Sequence, residues 1–290
     1  MRYVVAVAET SSFTRAAERC LVVQSALSHQ IARLERELGT KLFARTTRQV
    51  RLTPAGEAFL PAARRCLDAA EHAAAEVAAA VGEVRGRLAV GVIPTVAAVD
   101  IPAVLHDFRG RYPHVRVALR VGSSDDLTEQ VKDAALDVAF LGLPTTARPQ
   151  GVHGHELARD ELVAVVAPEH PLAGAADVDL RRLSTEVFVD FPAGTPGRAQ
   201  SDQAFSAAGL SRDVAFEVTA ADFMARLVRQ GLGVSLLPSA YVPHLAGVVT
   251  IPVTDAPGRV EYLVWGRVGL TPAASAFLTV LGLPTTDSSP

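Results

Sequence analysis

With 290 residues, 49% of them hydrophobic and 20% charged, the chain is long enough for about two domains and too apolar to be disordered. Its two cysteines, Cys20 and Cys66, are too few for a disulfide framework and fit a reducing compartment. The formal net charge of −3 conceals an asymmetry: residues 1–66 hold 11 Lys+Arg against 5 Asp+Glu, and the remainder holds 17 against 26. Two segments of opposite sign predict two jobs, the basic one suited to an anionic partner.

The opening MRYVVAVAETSSF reaches a carboxylate at Glu9 and lacks a cleavable apolar core, so no secretory signal is predicted. No run of about 18 apolar residues predicts a membrane span, and a cytoplasmic location is expected. RYVVAVAE reads as a short apolar helix. SSFTRAAERC follows, with Ser at the N-cap and Ala16, Ala17 and Cys20 on one side, small enough for a second helix to cross closely. After LVV, a helix begins near Gln24 and stops at Gly39. Within it Leu27, Ile31, Leu34 and Leu38 are spaced four, three and four apart, which makes one core face. Ser25, Ser28, His29, Arg33 and Arg36 fall opposite. KLFARTTRQVRLT then alternates as a two-stranded wing that turns at Thr47-Arg48-Gln49.

This order is that of a winged helix-turn-helix. A helix that enters the major groove needs short polar side chains at its N-terminal end to reach base edges, and Gln24, Ser25 and Ser28 meet that need. Arg33, Arg36 and the wing arginines Arg45, Arg48 and Arg51 suit phosphates or the minor groove. Each of these alone is more often an ordinary solvated side chain; the joint arrangement carries the reading.

Thr53-Pro54 is a helix-start signal, and the Ala-rich run to about Val84 repeats Leu60, Ala63, Leu67, Ala70, Ala74, Val77 and Val81 at three and four. Such a seam asks for a partner helix, either from a second copy or on the chain's own body. GEVRGRL breaks the helix and marks a boundary. Beyond it strands alternate with helices, from RLAVGVI through VRVALRVG, VAFLG, ELVAVVAP, EVFVDFP, VAFEV and GVSLLP to RVEYLVWGRV, the rhythm of a doubly wound, parallel α/β sheet in two rounds. His153-x-His155 offers two rings on one strand face with no third ligand nearby, so no metal is expected. Cys20 and Cys66 read as small apolar filler rather than redox sensors.

The run SSFTRAAERC…VQSALSHQIARLERELGTKLFARTTRQVRLTPAGE closely resembles the DNA-binding region of LysR-type transcriptional regulators, and the likeness extends through most of the chain. It implies an α/β protein with a winged helix-turn-helix over 1–53, a dimerising linker helix over 54–84 and an effector-binding domain over 85–290. That last domain would have the two-lobed type 2 periplasmic-binding-protein fold, with lobe 1 near 85–155 and 266–290 and lobe 2 near 156–265. Carried over by position, the resemblance puts Gln24, Ser25 and Ser28 at the DNA-reading end, Thr14 near the DNA backbone and Arg45 on the wing. It also implies antiparallel linker helices between subunits of a dimer or tetramer, with Leu60, Leu67, Ala70, Ala74, Val77 and Val81 as the seam. Three positions depart from the family pattern: Val23 replaces the usual Ser, Ser25 the usual Pro and His29 the usual Arg. An altered operator preference is expected, since a lost N-cap hydroxyl costs about 1 kcal/mol and His is less charged than Arg at neutral pH. The first helix is expected to be short by several residues relative to the family.

In the C-terminal lobes, the resemblance matches Thr95 and Thr219 to effector-contacting cleft positions. Ser123 and Ser124 read equally as N-caps or ligand contacts, and Gly194 and Thr195 sit at another strand-to-helix junction. The expected effector is a small anion, an organic carboxylate, with Arg148 and Arg198 as its obvious counter-charges. Its binding is expected to alter DNA bending and RNA polymerase recruitment. The competing reading is a cytoplasmic solute-binding protein without DNA-binding activity, against which the basic first 66 residues argue. An α/β enzyme comes third: the chain has no HExxH, GxSxG or Walker-type run, and no catalytic residue or cofactor is expected.

Overall fold

A computed structural model describes residues 1–45, 50–267 and 269–283, Arg45 for its backbone only. The chain divides into two compact units, Met1–Gly86 and Arg87–Pro290.

In the first unit, α1 (Arg2–Thr10), α2 (Phe13–Arg19) and α3 (Gln24–Glu37) precede β1 (Phe43–Arg45), β2 (Val50–Leu52) and the long α4 (Pro54–Ala80). Ser12 caps α2 by accepting from the Arg15 N–H, as its position predicts. Val4, Val7, Phe13, Ala16, Ala17, Leu27, Ile31, Leu42 and Phe43 form the core. The predicted apolar face of α3 is correct at Leu27 and Ile31 but ends early: Leu38 is the C-cap and is 44% exposed. The chain reverses there through Gly39, whose φ of 69° suits glycine, so the last turn presents Glu35 inward instead of Leu38. β1 and β2 pair antiparallel, Phe43 opposite Leu52 and Arg45 opposite Val50. The predicted turn at Thr47-Arg48-Gln49 lies outside the described residues.

α4 is fastened to the wing at its first turn. Thr53 accepts from the Gly56 N–H at 3.0 Å and donates its hydroxyl to the Lys41 carbonyl at 2.6 Å. A Cβ at Gly56 would lie 2.1 Å from the Leu42 carbonyl oxygen, so nothing larger than glycine fits there without movement. Further along, α4 leaves Ala70, Ala74, Val77 and Val81 exposed, the two valines at 70% and 81%.

The second unit runs β3 (Gly86–Val92), α5 (Ile101–Arg111), β4 (Val115–Val121), α6 (Ser124–Lys132), β5 (Val138–Pro144), β6 (His153–Val166), α7 (Leu180–Leu183), β7 (Val187–Asp190), α8 (Pro196–Ala207), β8 (Asp213–Glu217), α9 (Ala221–Arg229), β9 (Ser235–Pro238), β10 (Val249–Ile251), β11 (Gly258–Trp265) and α10 (Pro272–Val280). The main sheet has the order β10-β6-β11-β5-β3-β4, with β9 also on β6; β7 and β8 pair parallel beside it. β3 and β5 are parallel, but β11 is antiparallel to both β5 and β6, so the sheet is mixed rather than parallel throughout.

β6 links the two lobes. Its first half, from His153, pairs with β11; its second half, Leu162–Val166, pairs with β9 and β10. LVAVV is apolar at every residue because both of its faces are covered. Leu162, Ala164 and Val166 pack with Phe188 and Phe205, while Val163 and Val165 pack with Met224 and Val228 of α9. In the first lobe Leu127 and Val131 of α6 cover one face of the sheet. On the other side, Phe277 of α10 meets Phe108 and Phe140 edge-on.

The lobe boundary expected at 265/266 needs correction. β11 lies between β5 and β6 in the first lobe's sheet, so the return crossing precedes Gly258. The alternation in RVEYLVW that identifies a strand carries no information about which sheet receives it.

Candidate DNA-reading surface and interlobe cleft

The N-terminal end of α3 presents Gln24, Ser25 and His29 to solvent above the buried Leu27 and Ile31. Gln24 Nε2 donates to Ser28 Oγ at 2.9 Å, so these two side chains form one polar unit across a helical turn. Thr14 is exposed on α2. Val23 stands at the N-cap with no side-chain hydrogen bond, which leaves the first N–H groups of α3 without the cap that Ser would supply. Arg33 is exposed but bonded to Glu37 at 2.9 Å, so part of its charge is already answered. Arg48 and the Arg45 side chain lie outside the described residues.

Glu35 is the structural residue that spacing alone misses. Its carboxylate, 4% exposed, accepts from Lys41 Nζ at 2.8 Å and from the backbone N–H groups of Leu42 and Phe43 at 2.9 and 3.3 Å. Burial by itself would raise its pKa; the Lys41 bond and the two N–H donors outweigh it and hold the carboxyl below its ordinary value. Glu35 thus fixes the C-terminal end of α3 to the start of β1.

In the second unit, the C-terminal ends of β3 and β5 and the start of β11 converge beside α8 of the second lobe. Thr95 follows β3 and is buried, its carbonyl accepting from Arg259 Nη2 at 3.1 Å. Ser123 caps α6 through the Asp126 N–H. Ser124 donates its hydroxyl to the Gly142 carbonyl at 3.0 Å and accepts from the Gly142 N–H at 3.1 Å, so it is committed to the scaffold. Thr195 is likewise spent, capping α8 and donating to the Pro192 carbonyl. Gly194 holds a φ of 81° in the preceding loop, and Thr219 is exposed beyond β8.

The two expected counter-charges are neutralised within the chain. Arg198 contacts Asp202 at 3.0 Å and Glu217 at 3.1 Å, with Asp190 at 3.8 Å. Burial alone would raise the Asp202 pKa, but its bonds to Arg212 and Arg198 hold it below the usual carboxylate range. Arg148 donates to the Tyr262 hydroxyl and lies 3.6 Å from Glu156. The cation at the convergence is Arg259, which the sequence reading does not single out. It is 2% exposed and lies 3.2 Å from the equally buried Glu261. Glu261 in turn accepts from the N–H groups of Ala97 and Ala98, on the loop after Thr95. A readable signal exists: Arg259 and Glu261 are two residues apart in an otherwise apolar strand, and period 2 puts them on one face. Among the described residues no group of three or more His, Cys, Asp and Glu is arranged to hold a metal ion.

Comparison with known proteins matches residues 1–57 to the bacterial regulatory helix-turn-helix family of lysR type and residues 82–282 to the LysR substrate binding domain. The transcriptional dual regulator GltC of Bacillus subtilis is 35% identical over 240 residues, 83% of this chain and 80% of that one. The transcriptional regulator BudR of Raoultella terrigena is 32% identical over 283 residues, 96% and 97% of the two chains. Among solved structures, full-length CbnR complexed with its target DNA is similar at a TM-score of 0.72 and 25% identity, covering 97% of each chain.

Proposed function

The chain belongs to the LysR family of DNA-binding transcriptional regulators with an effector-binding domain, and on that premise we propose that it reads its operator through the N-terminal end of α3. Gln24, Ser25, Ser28 and His29 are the base-reading side chains, Thr14 and Arg33 lie along the DNA backbone, and Arg45 and Arg48 supply the wing's positive charge. The observation that carries this assignment is the set of short polar groups exposed on a helix whose opposite side is locked into the core. Val77 and Val81, with Leu60, Leu67, Ala70 and Ala74, pair α4 with a second copy, so two reading heads meet a roughly palindromic site, and pairs assemble to a tetramer.

A small organic anion in the cleft between the lobes is the proposed effector, with Thr95, Ser123, Ser124, Gly194, Thr195 and Thr219 around it. Because Ser124 and Thr195 are spent on scaffold bonds, they shape the cleft and leave direct contact to their neighbours. Effector binding shifts the lobes, and with them DNA bending and polymerase recruitment, to the extent that it favours one arrangement over another. The cell interior is the proposed site of action. The similar proteins named above are regulators, not enzymes, and no described helix is long and apolar enough to cross a membrane.

The test is binding of the full-length protein to the DNA upstream of its own gene, against a scrambled duplex, over a salt series. Specific binding that salt weakens, and that Ser28→Ala or Arg45→Ala reduces, is expected. Equal affinity for both duplexes at every salt concentration would overturn the assignment of α3.

A further inference from the structure

Two aliphatic side chains at the tip of α3 do nothing for the fold that holds them. Val23 is the N-cap of α3, 69% exposed and without a side-chain bond to the helix it opens. Leu21, two residues before it, is 93% exposed and has a φ of 56°. The Leu21 N–H bonds to the Glu18 carbonyl and the Val22 N–H to the Ala17 carbonyl, the pair of bonds that ends a helix on a left-handed residue. Glycine is the residue such a position favours. A single exposed leucine is ordinary. Two aliphatic groups within three residues, one in a left-handed turn and the other where a capping hydroxyl belongs, are a cost that no contact inside the chain offsets.

What covers them follows from what stands beside them. Gln24 comes directly after Val23, and one N–H of its amide is committed to Ser28 Oγ at 2.9 Å. The amide nitrogen has a second N–H, and Oε1 accepts bonds. That donor and acceptor, side by side, match N7 and the N6 amino group of adenine in the major groove. The first residues of a helix inserted there are the ones that meet base edges, so the two aliphatic groups arrive beside a group suited to an A·T pair. The apolar feature that such a pair displays in the major groove is the C5-methyl of thymine. The charged phosphates offer an aliphatic group nothing comparable.

We propose that Leu21 and Val23 form an apolar lip that reads thymine methyl groups in each operator half-site. This rests on the reading of α3 as the DNA-contacting helix, and it adds the base feature that the helix selects. The contact removes apolar surface of both partners from water and displaces no polar group, so it works alongside the hydrogen bonds of Gln24 and Ser28 rather than in place of them.

The test uses duplexes from the DNA upstream of the protein's own gene. Thymines in the segment that the full-length protein protects are replaced by uracil, one position and its symmetry mate at a time, at fixed salt. Uracil keeps the base pair and lacks only the methyl group. At the positions under the tip of α3 it should weaken binding about three- to fivefold for each methyl removed, the worth of one buried methyl. Leu21→Gly combined with Val23→Ser gives the turn the residue its φ favours and α3 a capping hydroxyl, so the variant keeps its fold. It should bind the thymine and uracil duplexes alike. Equal binding of both by the natural chain at every position, or a thymine preference that survives in the double variant, would overturn the proposal and leave the operator reading intact. Failure to prefer the upstream DNA over a scrambled duplex would remove both.

Discussion

The N-terminal end of α3 and the surroundings of Arg259 hold their polar groups under opposite conditions. Around Ser25 and His29 the side chains are exposed and weakly engaged, so they remain hydrated until a partner displaces the water. Around Arg259 nearly every polar atom is buried and already bonded within the chain. A surface that reads a polymer needs little preorganised cavity, because the partner supplies the opposing wall. A buried guanidinium instead carries a desolvation cost within the chain itself, which Glu261, 3.2 Å away, offsets.

Variants that disturb the two regions separately sharpen that contrast. The largest effect is expected for Glu261→Ala, which leaves Arg259 buried without its nearest counter-charge and should cost about 3–5 kcal/mol in denaturant unfolding of the full-length protein. If that variant is as stable as the natural chain, the cleft is wetter than its burial implies. At the other end, Glu35→Gln should destabilise the winged unit by about 1–3 kcal/mol by weakening the bonds to Lys41 and the wing N–H groups. The sign with pH follows from a folded-state pKa below the ordinary 4.5. The Glu35 contribution is complete above 4.5 and disappears as pH falls through the lowered value, so melts of Glu35→Gln and the natural protein should converge in acid.

Smaller effects are expected where the surface stays wet. Val77→Glu with Val81→Glu should weaken self-association by about 1–2 kcal/mol in sedimentation, with the thermal transition of each unit unchanged, because these valines have no partner burying them within the chain. The smallest change, Val23→Ser, restores an N-cap hydroxyl and should raise stability by about 1 kcal/mol without altering the core. A loss of stability from that substitution would mean that exposed Val23 packs on something the isolated chain does not contain.

The same contrast explains what could be read from the residues. The surface of α3 is local: one helix, one period, and the faces separate on paper at Leu27 and Ile31, as does the cap at Ser12. The period fails at Leu38, where the chain reverses through Gly39, and it is silent on Glu35, whose partners arrive only when the wing folds back. The cleft is assembled from Thr95, Gly142, Gln200 and Arg259, brought together by strand order rather than by spacing. β11 inserts between β5 and β6 after some ninety intervening residues, and no local pattern announces that insertion. Ser123 and Ser124 at a strand-to-helix junction read equally as caps or as ligand contacts. Whether a cap has a hydroxyl to spare depends on contacts such as Ser124 with Gly142, which only the packed sheet supplies.

The joint between α4 and the wing has a mechanical consequence. With Thr53 bonded on both sides of the junction and Gly56 pressed against the Leu42 carbonyl, there is no slack in which the reading head can swivel on its shaft. Head and shaft then turn together as one lever. In the proposed pairing of two copies through α4, a rotation of a few degrees where the two shafts cross becomes a displacement of ångströms at the far end of each head, so the spacing between two half-sites would be gauged by the crossing rather than by the heads themselves.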